Sequence, residues 1–135
     1  MFNAFLIDTT SAHAIDHPLT LEAMQATVGG YIEPVFTIDS PTRPGYAITG
    51  YVNDSGLIER LPFTCFLDGS PDPLAGPLLV CGLRYEDGET APLTVEELDW
   101  LDERTRLVMM AGRITPDGER DAHALHSLDL SEHLD

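Results

Sequence analysis

LEAMQATVGGYIEPVFTI, residues Leu21 to Ile38, is an amphipathic helix that runs into a double glycine and then directly into a strand. Thr20 precedes it as an N-cap, a residue whose hydroxyl can accept from a free amide of the first turn. Leu21, Met24 and Val28 fall at helical spacing and define one apolar face. Gly29 and Gly30 stop the helix, because one of them can take the left-handed conformation without a Cβ clash. Tyr31, Ile32, Val35, Phe36 and Ile38 favour an extended strand. Pro34 has no N–H to give a ladder and marks an edge or a bulge within that strand.

Working outward, Phe2 to Ile7 is a short apolar run, read as the first strand, and Asp8 to Pro18 is polar and turn-rich. Residues 39–45, DSPTRPG, exclude regular structure with two prolines and a glycine. Tyr46 to Val52 reads as a strand, and NDSG at 53–56 as a turn. Leu57 to Leu67 is ambiguous, fitting a short strand and then a turn or helix started at Pro62, and 68–77 reads as loop. Leu78 to Leu83 is continuously apolar and reads as a buried strand. Thr94 caps a second helix with Glu96 and Glu97 in its first turn, where negative charge favours the dipole. That helix is expected to reach Met110, with Gly112 as its stop. The expectation is one α+β domain over 1–112. Its sheet has about four mainly antiparallel strands with two helices on one face, in the order β-α-β-β-β-α. Residues 113–135 are expected to be a C-terminal tail, mobile or laid over the last helix.

The chain of 135 residues carries 23 acidic and 7 basic side chains, a formal net charge of −16. All seven basic residues are arginines. The tail from Arg113 holds six acids and two arginines, leaving 17 and 5 for the rest, so the acidity is spread over the whole chain. Such a balance argues against direct contact with nucleic acid or an anionic membrane, since phosphates need a positive footprint. It suits a basic partner protein, mimicry of a nucleic-acid surface, or solubility in high salt. With 43% hydrophobic residues the chain can bury a core without metal or disulfide. Cys65 and Cys81 form no CxxC and lack further ligands at zinc spacing, so they read as buried cytosolic thiols. MFNAFLIDTT has no basic n-region and no long apolar run, and a cytoplasmic protein is expected.

MQATVGGYIE, YVNDSGLIERLP, GPLLVCG and a final acid-rich helix together resemble the domain of unknown function 3846 family over about residues 1–110. The resemblance implies a compact α+β protein of bacteria, archaea, phages or plasmids, and it implies no established reaction. Family members usually carry Asn and then basic residues after the LP. Here Pro62 is followed by Phe63, Thr64, Cys65 and Phe66, so a site built on those polar residues would be altered or lost.

Two surfaces are candidates for function. A ligand could approach the backbone at Gly29 and Gly30, with Tyr31, Glu33 and Asn53 beside it, although the phosphate-binding GxGxxG pattern is missing. On the second helix, Glu96, Trp100, Glu103, Leu107 and Met110 share the face opposite Val95, Leu98, Leu101, Thr105, Val108 and Met109. That stripe places the only tryptophan and two large apolar residues among acids, and it is expected to be covered by the tail or buried in a homodimer or partner interface.

Other combinations point to simpler roles. His13 and His17, and His123 and His126, have metal-like spacing but no HExxH or cysteine partner, and read as solvated loop histidines, to which His133 adds little. Glu33 and Asp54 are carboxylates that nothing in the sequence brings together, and there is no G-x-S-x-G elbow, so no catalytic residue, metal or cofactor is expected. The function expected is therefore that of a small acidic, non-enzymatic accessory protein, phage- or plasmid-related, that binds a protein partner or itself. The alternative is a nucleotide or small-molecule enzyme or sensor with its site near GGYIE.

Overall fold

In the computed structural model, which describes residues 3–9, 11–67, 73–114 and 120–130, the first strand is Ala4–Ile7 (β1). The polar stretch after it is a hairpin rather than a loop. Ala12–Ile15 (β2) folds back antiparallel on β1, pairing Phe5 with Ala14 and Ile7 with Ala12. The Asp8 carboxylate holds the turn by accepting the Ser11 N–H at 2.8 Å.

The helix Leu21–Val28 (α1) begins at Thr20, whose hydroxyl accepts the Ala23 N–H at 3.2 Å. It ends at Gly29, which adopts φ +86°, and the Gly29 and Gly30 N–H groups both donate to the Gln25 carbonyl, at 2.9 and 3.1 Å. The left-handed residue closes the last turn as a glycine cap does. Ile32–Asp39 (β3) then pairs antiparallel with Tyr46–Asn53 (β4), with an irregularity in register between Pro34 and Phe36. Gly50 makes this pairing close: a Cβ there would come within 2.3 Å of the Phe36 ring.

The remaining elements are Phe63–Leu67 (β5), Leu74–Ala75 (β6), Leu78–Arg84 (β7), Thr90–Ala91 (β8), Val95–Glu103 (α2), Thr105–Ile114 (β9) and Arg120–Leu128 (β10). The first sheet has the order β2-β1-β7-β4-β3, with β8 also on β7, and every pairing is antiparallel. β3 lies at its edge, which suits Pro34. A second sheet has the order β6-β5-β10-β9, with β10 parallel to β5.

β7 shows how the layers stack. Leu78 and Val80 belong to one buried cluster with Phe5, Ile7, Ile48, Leu98, Leu101 and Leu128. Leu79 and Cys81 belong to another with Ala4, Met24 and Val28. Successive side chains of a strand point to opposite faces. One face of the first sheet is therefore covered by α1 and the other by α2 and the second sheet. The expectation of both helices on one face is corrected accordingly.

Three further expectations are corrected. The α+β class with two helices and a mainly antiparallel sheet stands, but there are ten strands in two sheets among the described residues, not about four in one. The second helix stops at Glu103 instead of Met110, because TRLVMM forms β9 and finds a strand partner in β10, from Thr105 opposite Leu128 to Met110 opposite His123. A short apolar run fits either period, and pairing settles it. Lastly, residues 120–128 of the supposed tail form β10, which joins β5 to β9, with His126 opposite Cys65.

Candidate functional site

The double glycine and the NDSG turn lie against each other. Asn53, at the end of β4, is only 3% exposed. Its amide Nδ2 donates to the Val28 carbonyl at the end of α1, at 3.2 Å, and to Glu59 Oε2 at 3.3 Å. Its Oδ1 accepts the Ser55 N–H at 2.8 Å, an Asx turn. The Asp54 N–H donates to the Tyr31 carbonyl at 3.0 Å. Gly30 permits this contact, since a Cβ there would lie 3.0 Å from Asn53 Nδ2. Asn53 thus satisfies a free carbonyl of the helix end and fixes the turn that follows, as a buried amide must if it is to be tolerated.

Two open clefts flank this turn. The first, of about 490 Å³, is lined by Gln25, Gly30, Tyr31, Asn53, Asp54, Ser55 and Glu59. The second, of about 310 Å³, is lined by Glu33, Asn53 and Asp54 together with Val35, Val52, Gly56, Leu57, Ile58, Pro73, Leu74 and Ala75. The structure therefore brings four of the five residues singled out beside the double glycine to one turn: Gly30, Tyr31 and Asn53 on one side, Glu33 and Asn53 on the other. Gly29 is the helix cap and lines neither cleft. Gln25, Ser55, Glu59, Leu57 and Ile58 were not legible as site residues. For the last two the signal was an Leu-Ile pair directly after a turn, where two large aliphatics have no local reason to be buried. Both stand in solvent, Leu57 at 71% and Ile58 at 86% exposure, and Tyr31 across the turn is 74% exposed.

The stripe expected on the second helix is divided. Glu96 and Glu103 are exposed on α2, but Leu107 and Met110 belong to β9 and continue no helical face. Trp100 is half-buried, packed on the core cluster of Leu98 and Leu101. The Arg104 guanidinium lies 4.2 Å from its ring centroid and donates to the Trp100 carbonyl at 3.2 Å. An arginine plane over the indole shields it from water. Within α2 the acid Glu97 turns fully inward alongside Leu98 and Leu101. It completes a capping box with Thr94, and its carboxylate accepts from Ser40 Oγ at 2.5 Å and from Arg43 Nη2 and Nε at 2.7 and 3.3 Å. Every oxygen of this buried acid is engaged by the scaffold.

The histidines are not all solvated. His13 is exposed on β2, with Nδ1 3.0 Å from Ser11 Oγ. His17 is half-buried and its Nε2 shares a hydrogen bond with Thr27 Oγ1. His126 is buried in β10, and His133 lies outside the described residues. Among the described residues no three His, Cys, Asp or Glu groups converge as a metal site would need. Cys65 and Cys81 are free and buried in separate clusters, and burial pushes both thiols up to about 12. The segment that departs from the family pattern, Phe63 to Phe66, lies in β5, where Thr64 is buried and donates to the Gly76 carbonyl at 2.8 Å.

No described helix is long and apolar enough to cross a membrane. Neither the curated proteins nor the solved structures provide a match to the chain. A family model does match it, over residues 2–106, and that span holds α1 with its double glycine, the NDSG turn with both clefts, and α2. The chain accordingly belongs to the family described as domain of unknown function 3846.

Proposed function

We propose that this is a non-enzymatic accessory protein, phage- or plasmid-related, that binds a basic protein partner. The observation that carries the reading is the exposure of Tyr31, Leu57 and Ile58 around the Asn53–Asp54 turn, beside Glu33, Asp54 and Glu59, with no basic residue among the described residues that line either cleft. Exposed aromatic and aliphatic side chains grouped at one place favour association. A net charge of −16 selects cationic partners and raises the rate of encounter with them. The interior acids and thiols support the non-enzymatic part: Glu97 is consumed by its cap and ion pair, and both thiols are held in the unreactive protonated form. Competition with nucleic acid for a basic protein is the sharper form of this reading.

The test is titration of the protein against an arginine-rich DNA-binding protein, by gel filtration at about 50 and about 200 mM salt, because attraction between exposed charges is screened over this range. A complex that forms at the lower salt and dissociates at the higher supports the reading. Failure to form one, or indifference to salt, removes charge mimicry. Self-association is the other form of the interaction, and sedimentation of the protein alone decides it. A second reading, a nucleotide or small-molecule site, is favoured by Gly30, Tyr31 and Asn53 sharing the larger cleft. A nucleotide or divalent metal that raises the melting temperature, with Tyr31→Ala abolishing the rise, would favour it, since a ligand of the native state must stabilise that state.

A further inference from the structure

We propose, resting on the partner-binding reading above, that the Asn53–Gly56 turn is the centre of a two-part docking site. Its occupant is a protein segment carrying an arginine or lysine next to a large apolar side chain. The two clefts share the wall formed by Asn53 and Asp54, so neighbouring side chains of one extended segment reach both. Their chemistries differ. The smaller cleft is lined by aliphatic side chains, among them Leu57 and Ile58, which remain mostly exposed. Its volume of about 310 Å³ has room for one large anchoring side chain. The larger cleft offers the exposed Tyr31 ring and the Asp54 and Glu59 carboxylates. An aromatic face beside carboxylates attracts a cation.

Charge complementarity sets the choice of occupant. Glu33 and Asp54 border the apolar cleft, and neither has a cationic partner among the described ion pairs. Arg60, on the same turn, lines neither cleft. An apolar segment with acidic flanks would be repelled, and one with basic flanks would supply the missing counter-charge. The wall itself is rigid, since Asn53 is tied to α1, Ser55 and Glu59 and the Asp54 amide is tied to Tyr31. A site held in place before binding loses less freedom on association.

The experiment uses the whole chain and four labelled synthetic peptides of equal length: arginine with leucine, arginine with serine, glutamate with leucine, and serine alone. Fluorescence anisotropy at low salt reads their affinities. The arginine–leucine peptide should bind at least tenfold tighter than the other three. Leu57→Ser with Ile58→Ser should cost it at least tenfold and leave the weaker arginine–serine binding unchanged. Asp54→Asn with Glu33→Gln should weaken both arginine peptides. These side chains are exposed, and unchanged circular dichroism and melting temperature confirm intact variants. Equal binding of both arginine peptides, indifferent to Leu57 and Ile58, would overturn the docking site and leave general attraction of basic partners standing. No binding of either arginine peptide would overturn both.

Discussion

Asn53 and the two cysteines are all buried, and burial requires something different of each. The asparagine is accommodated because three partners engage its amide, two on Nδ2 and one on Oδ1. The thiols need only stay neutral. Burial pushes both up to about 12, whereas in the unfolded chain they ionise near an ordinary thiol value, about 8.5. Between those limits the unfolded state releases protons that the folded state keeps, so stability must fall as pH rises through that window. Each thiol steepens the fall by up to about 1.4 kcal/mol per pH unit. Urea denaturation from pH 8 to 11 should show this slope, and Cys81→Ala should reduce it by about one thiol's share. An identical slope in Cys81→Ala would mean that Cys81 ionises as freely in the folded protein as in the unfolded one.

At the level of elements, α2 is anchored by charge where α1 is anchored by glycine. Glu97 bonds back to the Thr94 N–H at 2.9 Å and forward to Arg43 in the loop between β3 and β4, while Arg43 also stacks at 4.0 Å on the Tyr46 ring. Removing one partner of such a pair strands a buried carboxylate. Arg43→Ala is therefore expected to cost about 3 kcal/mol in chemical denaturation. The double variant Arg43→Met, Glu97→Met should recover most of that loss, because it removes the stranded charge as well as the pair. If the single variant costs under about 1 kcal/mol, water reaches Glu97 and the pair behaves like a surface one.

The same contrast explains what could be read in advance. The cap, helix, double glycine and edge strand of residues 20–39 are dictated by neighbours in sequence, and they were legible, the helix to the residue and the strand to within one residue at each end. The turn at Asn53 was legible for the same reason. Its meeting with Tyr31 was not, because that contact depends on how β4 returns to the end of α1. Residues 105–128 were misread because LVMM suits a helix as well as a strand, and the choice rests on pairing with β10 and, through it, with β5 far back in the chain. Glu97 read only as a first-turn acid favourable to the helix dipole, because its partner Arg43 comes from another loop.

For the molecule as a whole, charge acts on folding and on binding with opposite sign. A net charge of −16 on 135 residues repels itself in the folded state, since seven arginines can neutralise only a minority of 23 acids; pairs among the described residues include Arg43–Glu97, Arg84–Asp87 and Arg104–Glu103. Salt shortens the reach of that repulsion from about 30 Å at 0.01 M to about 10 Å at 0.1 M. Unfolding spreads the charges apart and gains less from screening, so added salt should raise the melting temperature. The same screening should weaken a basic partner's hold on the Tyr31 and Leu57 surface. Parallel titrations of melting temperature and partner affinity, with sodium chloride from about 0.01 to about 0.2 M, should therefore move in opposite directions. If the acidity serves only to keep the protein folded and soluble in salt, the melting temperature will rise and the affinity will stay flat. Should the affinity fall while the melting temperature stays constant, self-repulsion is already relieved in the fold, and the negative surface is free to act in recognition alone.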